Sequence, residues 1–248
     1  MGHIRLSNVN LDYPLMGMGS RSFKQRIIGS VTGGVISAEK SVPIVKALDG
    51  ISFTLTEGDR LGLIGHNGAG KSTLLKVLAG IYQPTRGAIN LQGRIVSTLN
   101  ISLGMDAEAT GYENIIIRGL LLGMSHKEID GKIEEIADFT ELGQYLDLPV
   151  RIYSSGMLTR LAFATVTAME PDILLMDEVI GTGDASFIHK AEKRLNEFMS
   201  RSKILVLASH SEEVIRKFCN KGLLLKGGKI ESSGSVEEVI ECYRNSIL

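Results

Sequence analysis

From Ile4 to Tyr13 (IRLSNVNLDY) apolar and polar residues alternate, the period of a strand with one buried face, which predicts an edge strand. The pattern lapses from Pro14 to Pro43. It resumes at Val45 with VKALDGISFTL, DRLGLIG and TRGAINLQGRI, three strands expected to form an antiparallel layer beside a central sheet. Over 108–147 the period lengthens to that of a helix. Thr110-Gly-Tyr-Glu113 and Ser125-His-Lys-Glu128 both fit the capping box, in which hydroxyl and carboxylate each take up a free N–H. Ile129, Ile133, Ile136 and Phe139 mark one buried face there. Another helix is expected from Ser154 to about Met169. Short apolar strands then alternate with helices: DILLMDE, a helix over 185–199, KILVLAS, a capped helix from Ser211, and KGLLLKGGKI. That alternation predicts a parallel sheet of βα units. A last capped helix starts at Ser235-Val-Glu-Glu238.

Composition narrows the class. With 248 residues, 44% of them hydrophobic and 22% charged, the chain holds one large domain or two small ones around a sizeable core. A net charge of −1 lacks the basic excess of a general nucleic-acid binder, so no nucleic-acid partner is expected. Cys219 and Cys242 stand far apart without CxxC spacing, which suggests neither a disulfide framework nor a zinc site. MGHIRLSNVN has no signal-peptide core, and no uncharged apolar run approaches the ~20 residues that span a bilayer. The chain is expected in the cytosol, with any membrane role carried by a partner.

GHNGAGKST, residues 65–73, fits G-x-x-x-x-G-K-[ST] in full and falls between a predicted strand and a predicted helix. Gly65, Gly68 and Gly70 let the backbone wrap closely enough to aim N–H groups at phosphate oxygens, with His66, Asn67, Ala69 and Thr73 completing the loop. Lys71 supplies a point charge for the β- and γ-phosphates, and Ser72 Oγ is placed to ligate Mg²⁺. These residues identify a nucleotide site with Mg²⁺ beside the phosphates. Its second half is an acid at the end of a neighbouring apolar strand, and ILLMDE (173–178) provides it. Asp177 is expected to hold Mg²⁺ through water and Glu178 to polarise the attacking water. His210 follows KILVLAS; a lone histidine there reads as a structural residue or as part of a site at the carboxyl ends of the strands.

The stretch RIYSSGMLTRLAFA (151–164) adds a second anion site, since Ser154, Ser155 and Gly156 open an apolar helix. One chain thus offers phosphate two helix starts.

GHNGAGKST, YSSGM, ILLMDE, GTGDASF and LASHS occur in the order found in ABC transporter ATPases, and the chain resembles that family from 4 to 245. LPVRIYSSGMLTRLAFA followed by LLMDEVIGTGDASF is similar to its polysaccharide-export branch, which includes the O-antigen exporters. The resemblance implies an α/β fold of the ABC-type P-loop NTPase kind, with a RecA-like core, an antiparallel β layer and a helical subdomain. It implies one ATPase domain over 1–248, with the nucleotide-binding core in 44–92 and 170–227 and the helical, signature-bearing part in 93–169. An inserted loop at 14–43 and a C-terminal helix in 228–248 complete the expected layout. It also explains the two helix starts. Two copies bind head to tail, and Ser154, Ser155 and Gly156 of one cap the ATP held by the other. By the same resemblance Tyr13 stacks on adenine, Asp184 lies where the chain crosses the dimer interface, and His210 is the switch that meets the γ-phosphate. A polytopic membrane permease is the implied partner, which places the chain on the cytoplasmic face of the bacterial inner membrane.

Three features depart from the family or lie outside its needs. Tyr153, Ser155 and Met157 stand where the usual signature has Leu, Gly and Gln. Residues 93–112 contain no glutamine, which leaves Asn100 as the candidate amide in that region. Pro14–Pro43 carries Arg21, Lys24, Arg26 and Lys40 against the single acid Glu39, interleaved with Leu15, Met16, Met18, Phe23, Ile27 and Ile28. It reads as a mobile surface loop, or as a segment against the membrane partner that helps admit a lipid-linked glycan. The chain reaches Leu248 about one helix past the core, like the short exporters without a carbohydrate-binding domain. Rival readings are an ATPase exporting teichoic acid or capsule, a soluble ABC protein acting on DNA or ribosomes, and a P-loop kinase. YSSGM and an acid pair at a strand end serve no need of a kinase.

Overall fold

The computed structural model describes residues 2–14, 35–39, 42–99, 101, 103–177 and 185–247. They form two compact units. One comprises residues 1–93, 175–178 and 203–248; the other comprises 94–174 and 179–202. Among the described residues no helix is long and apolar enough to cross a membrane.

The first unit contains two sheets. The antiparallel one has the order β2 (Val35–Glu39), β3 (Val42–Thr56), β1 (His3–Pro14), β5 (Arg86–Gln92). β1 is therefore internal rather than the expected edge strand, pairing Ile4 with Leu55 on one side and with Leu91 on the other. Alternation in sequence reveals that one face is buried, but it carries no information about how many backbone edges are paired. The β2–β3 hairpin also takes up the end of the stretch expected as a loop, with Val35 opposite Lys46 and Glu39 opposite Val42. Residues 15–34 lie outside the described residues, as do Arg21, Lys24 and Arg26.

The other sheet of this unit runs β10 (Lys229–Ser235), β9 (Lys221–Lys226), β4 (Arg60–Ile64), β8 (Ile204–Ala208), β7 (Ile173–Asp177). DRLGLIG, expected in the antiparallel layer, supplies β4 in this sheet, parallel to β8 and β9. The physical reason lies in its burial. Leu61, Leu63 and Ile64 are buried, and a run apolar on both faces suits the interior of a parallel sheet. All five residues of β8 are buried as well. KGLLLKGGKI proves to be a hairpin, β9 turning at Gly227–Gly228 into antiparallel β10. β10 thus takes the start of the stretch expected as terminal helix. Helices α1 (Lys71–Leu78), α7 (Glu212–Phe218) and α8 (Val236–Ile247) complete the unit. α8 sits so close to β9 that a Cβ on Gly222 would meet Val239 at 2.8 Å.

The second unit holds β6 (Ile95–Ser97), which lies beside the start of β7, where Ile173 N–H donates to the Arg94 carbonyl. Its helices are α2 (Gly111–Leu121), α3 (His126–Asp130), α4 (Ile133–Thr140), α5 (Ser155–Thr167) and α6 (Ala185–Arg201). Both expected capping boxes form: Thr110 with Glu113 at the start of α2, and Ser125 with Glu128 at the start of α3. The face running from Ile129 to Phe139 is broken between α3 and α4, and Ile133 is only half-buried while Ile129, Ile136 and Phe139 are buried. The centre is aromatic. Phe187 packs edge-on against Phe139 and Phe163, at 5.4 and 6.4 Å between centroids. Arg194 and Arg160 cover Phe139 and Phe187 with their guanidinium groups.

Candidate functional site

The phosphate loop leaves β4 at Gly65 and enters α1 at Lys71. Two glycines are sterically required. Gly65 has φ +148°, and a Cβ there would stand 2.4 Å from the Leu225 carbonyl oxygen. Gly70 caps the helix in the left-handed region at φ 111° and provides no side-chain cap. The hairpin tip holds the loop from behind: Gly228 N–H donates to the Ala69 carbonyl at 3.0 Å, and its own carbonyl accepts from Asp49 at 2.8 Å. The first intrahelical bond is Leu74 N–H to Gly70 O. Among the described residues the N–H groups of Gly68, Gly70, Ser72 and Thr73 have no protein acceptor, which leaves several donors unsatisfied at a positive helix end.

Lys71 is buried, 7% exposed, with its ammonium on the Gly65 carbonyl at 2.5 Å and the His66 carbonyl at 3.1 Å. That position keeps the charge inside the loop. Ser72 is exposed and Thr73 half-buried. Tyr13, near the end of β1, touches the same loop: its phenol lies against the Thr73 hydroxyl and that of Tyr82. Burial first, and then the Tyr82 phenol, push the Tyr13 hydroxyl up to about 12. It stays neutral at physiological pH.

The carboxyl ends of β4 and β8 adjoin, Leu63 opposite Ala208. Past them, Gly65, Ser209, His210, Glu212 and Tyr243 line a cavity of about 20 Å³, enough for one water. His210 is thus in the wall of a space that the phosphate loop also lines. Ser209 Oγ accepts from Ser211 N–H at 3.1 Å, and Ser211 caps α7, so the residue after β8 is turned by two short polar side chains. Asp177 closes β7, half-buried after the four buried residues Ile173–Met176. Glu178, Asp184 and Asn100 lie outside the described residues.

The second helix start belongs to the other unit. Ser154 is the N-cap of α5, its Oγ accepting from Met157 N–H at 3.2 Å. Ser154, Ser155 and Gly156 are all exposed, and an added Cβ on Gly156 would find nothing nearer than Ser154 Oγ at 3.8 Å. The N–H groups of Ser155 and Gly156 have no acceptor among the described residues. What positions this turn was not evident in the sequence. Asn114 is fully buried on α2; its side chain accepts from Asp106 N–H and reaches the Asp106 and Ala109 carbonyls. The strap it holds in turn accepts from Val150 and Arg151, at the Ala109 and Ala107 carbonyls. Tyr153 then anchors to the Tyr145 carbonyl at 2.6 Å. The available signal was an amide, Asn114, standing directly before the apolar run of α2. Arg118, one turn further on and buried, holds the Leu103 carbonyl, and burial lowers its guanidinium to about 10.

The ABC transporter family matches residues 48–181. The O-antigen export system ATP-binding protein RfbE of Yersinia enterocolitica is 48% identical over 231 residues, covering 93% of this chain and 97% of that protein. The teichoic acids export ATP-binding protein TagH of Bacillus anthracis is 39% identical over 197 residues, 79% of this chain and 36% of that longer protein. Among solved structures, an ATP-binding cassette in a dimeric post-hydrolysis state with ADP and Pi matches 94% of this chain and 98% of its own. Its TM-score is 0.66 at 21% identity, a likeness of fold.

Proposed function

The chain belongs to the ABC transporter family as an ATP-binding subunit, and on that premise we propose that it drives export of a lipid-linked O-antigen polysaccharide across the bacterial inner membrane. The observation that carries the substrate class is the near-complete mutual coverage with RfbE at high identity. The likeness to TagH spans a minor part of that protein, which makes teichoic acid the less supported cargo. Two copies act together with a membrane permease, and the chain sits on the cytoplasmic face of the membrane through that subunit.

In this reading ATP binds at Gly65–Thr73, its phosphates taken by the unsatisfied N–H groups and by Lys71. Ser72 and Asp177 are hard oxygen donors at the loop and at a strand end, the kind of sparse protein set Mg²⁺ accepts when phosphates complete its shell. Held by these residues, Mg²⁺ would supply charge neutralisation at the β- and γ-phosphates. Glu178 orients and polarises the attacking water, and His210, beside Gly65, meets the γ-phosphate. Ser154, Ser155 and Gly156 serve the ATP of the second copy. Their exposure supports that role, because N–H groups kept for another molecule's phosphate must not be satisfied at home. Asp184 sits where the copies meet. ATP then joins the two copies, since its charge is met from both sides.

Depleting the protein in its own cell should strip the surface of O antigen and leave lipid-linked polymer inside. A surface that keeps its O antigen contradicts the export reading. The basic residues of 14–43 are assigned to the glycan entrance at the permease, each able to add up to about 1 kcal/mol near anionic lipid. Replacing Arg21, Lys24 and Arg26 by alanine should leave ATP binding and dimerisation intact while surface polysaccharide falls. Normal export by that triple variant removes the loop from substrate entry.

A further inference from the structure

Tyr82 follows α1 in a segment (IYQPTRG) that the phosphate chemistry does not use. Its ring packs edge-to-face against Tyr13, 5.6 Å between centroids and 78° between planes. The Lys76 ammonium stands 5.7 Å above the Tyr82 ring. Two backbone ties fix where that ring can be. The N–H groups of Ile81 and Tyr82 both donate to the Lys76 carbonyl, at 2.9 and 3.3 Å, which hangs the residue on the carboxyl end of α1. Three residues on, Thr85 N–H donates to the Asn10 carbonyl at 2.8 Å and its hydroxyl to the same oxygen at 3.1 Å, tying the segment to β1. Tyr82 therefore bridges the two elements that define the nucleotide's ends: α1, whose start takes the phosphates, and β1, whose end carries Tyr13.

We propose that Tyr82 is a positioning residue for the nucleotide base, holding the Tyr13 ring in the plane on which adenine stacks. The proposal rests on the assignment of Tyr13 as the base-stacking residue. A half-buried aromatic at a strand end, as Tyr13 is, still has alternative rotamers unless a neighbour holds it, and each one that points elsewhere must be given up when the base arrives. Tyr82 removes that freedom beforehand. The edge-to-face contact orients one ring against the other, because the positive edge of one prefers the negative face of its neighbour. Lys76 over the outer ring restrains Tyr82 in turn. Phenylalanine at 82 keeps the edge-to-face ring contact, so it should serve nearly as well as tyrosine there.

The test is equilibrium binding of ADP and of inorganic tripolyphosphate to the full-length protein, since tripolyphosphate has the phosphates and no base. Tyr13→Ala should weaken ADP by about tenfold, the scale of one base–aromatic stack, and leave tripolyphosphate unchanged. Tyr82→Ala should weaken ADP by roughly threefold to tenfold and leave tripolyphosphate unchanged. Tyr82→Phe should bind both like the parent protein. The double alanine variant should be no weaker for ADP than Tyr13→Ala alone, because Tyr82 acts through Tyr13. If Tyr13→Ala leaves ADP affinity intact, the stacking assignment is wrong and the proposal goes with it. If Tyr13→Ala weakens ADP but Tyr82→Ala does not, or the two losses multiply, the stacking assignment stands and Tyr82 has no positioning role. Equal loss of ADP and tripolyphosphate in Tyr82→Ala marks damage to α1 and also overturns it.

Discussion

Glu178→Gln should bind ATP, remain dimeric in its presence, and lose turnover by roughly 10²–10⁴, the range that general-base assistance supplies. The substitution keeps shape and hydrogen-bonding reach but removes the charge and basicity that polarise water. It leaves the phosphate loop and Asp177 intact, so affinity should hold while chemistry stops. β7 gives the reason for placing the base here. Ile173–Met176 are buried without interruption, so polar groups first emerge at the strand's end, at Asp177, with Glu178 next in the chain. Steady-state ATPase rates and gel filtration with ATP check the expectation together. Near-normal hydrolysis by Glu178→Gln contradicts its assignment as the water-activating group.

Legibility from sequence tracked how local the determining physics is. The phosphate loop was readable because its glycines answer local demands: a Cβ on Gly65 would strike a carbonyl oxygen, and Gly70 needs positive φ. The capping boxes were readable for the same reason, both partners lying within one turn of helix. Strand placement was not. β1 shows the same alternation whether one or both of its edges are paired, and β4 shows an apolar run that either sheet accepts until its neighbours are known. Gly227–Gly228 could have revealed the β9–β10 hairpin, as adjacent glycines with φ of 56° and 78° make a tight reversal. The supports of the site were the least legible. Asn114 acts on a strap that acts on the signature turn, and Tyr82 acts on Tyr13 from a distant part of the chain. Such links depend on tertiary contacts between residues that no local pattern joins.

In the proposed mechanism each working site is built from two chains, with the phosphate loop of one copy completed by Ser154–Gly156 of the other. Mixing two defective variants tests it most directly. Lys71→Ala removes the buried ammonium from the loop and leaves the helix start intact. Ser154→Ala/Gly156→Asp does the reverse; space around Gly156 is open, so the added side chain does not strain its own fold, and the lost cap costs only about 1 kcal/mol. In a dimer of either variant alone both composite sites are broken. Mixed in equal amounts, about half of the two-fold dimers hold one of each, and each of those has one intact site. ATPase activity should rise from near zero in either variant to roughly a quarter of the parent rate if the two sites work independently. Mixed dimers, verified by pulling down one tagged chain with the other, that show no more activity than the separate variants contradict the shared-site account.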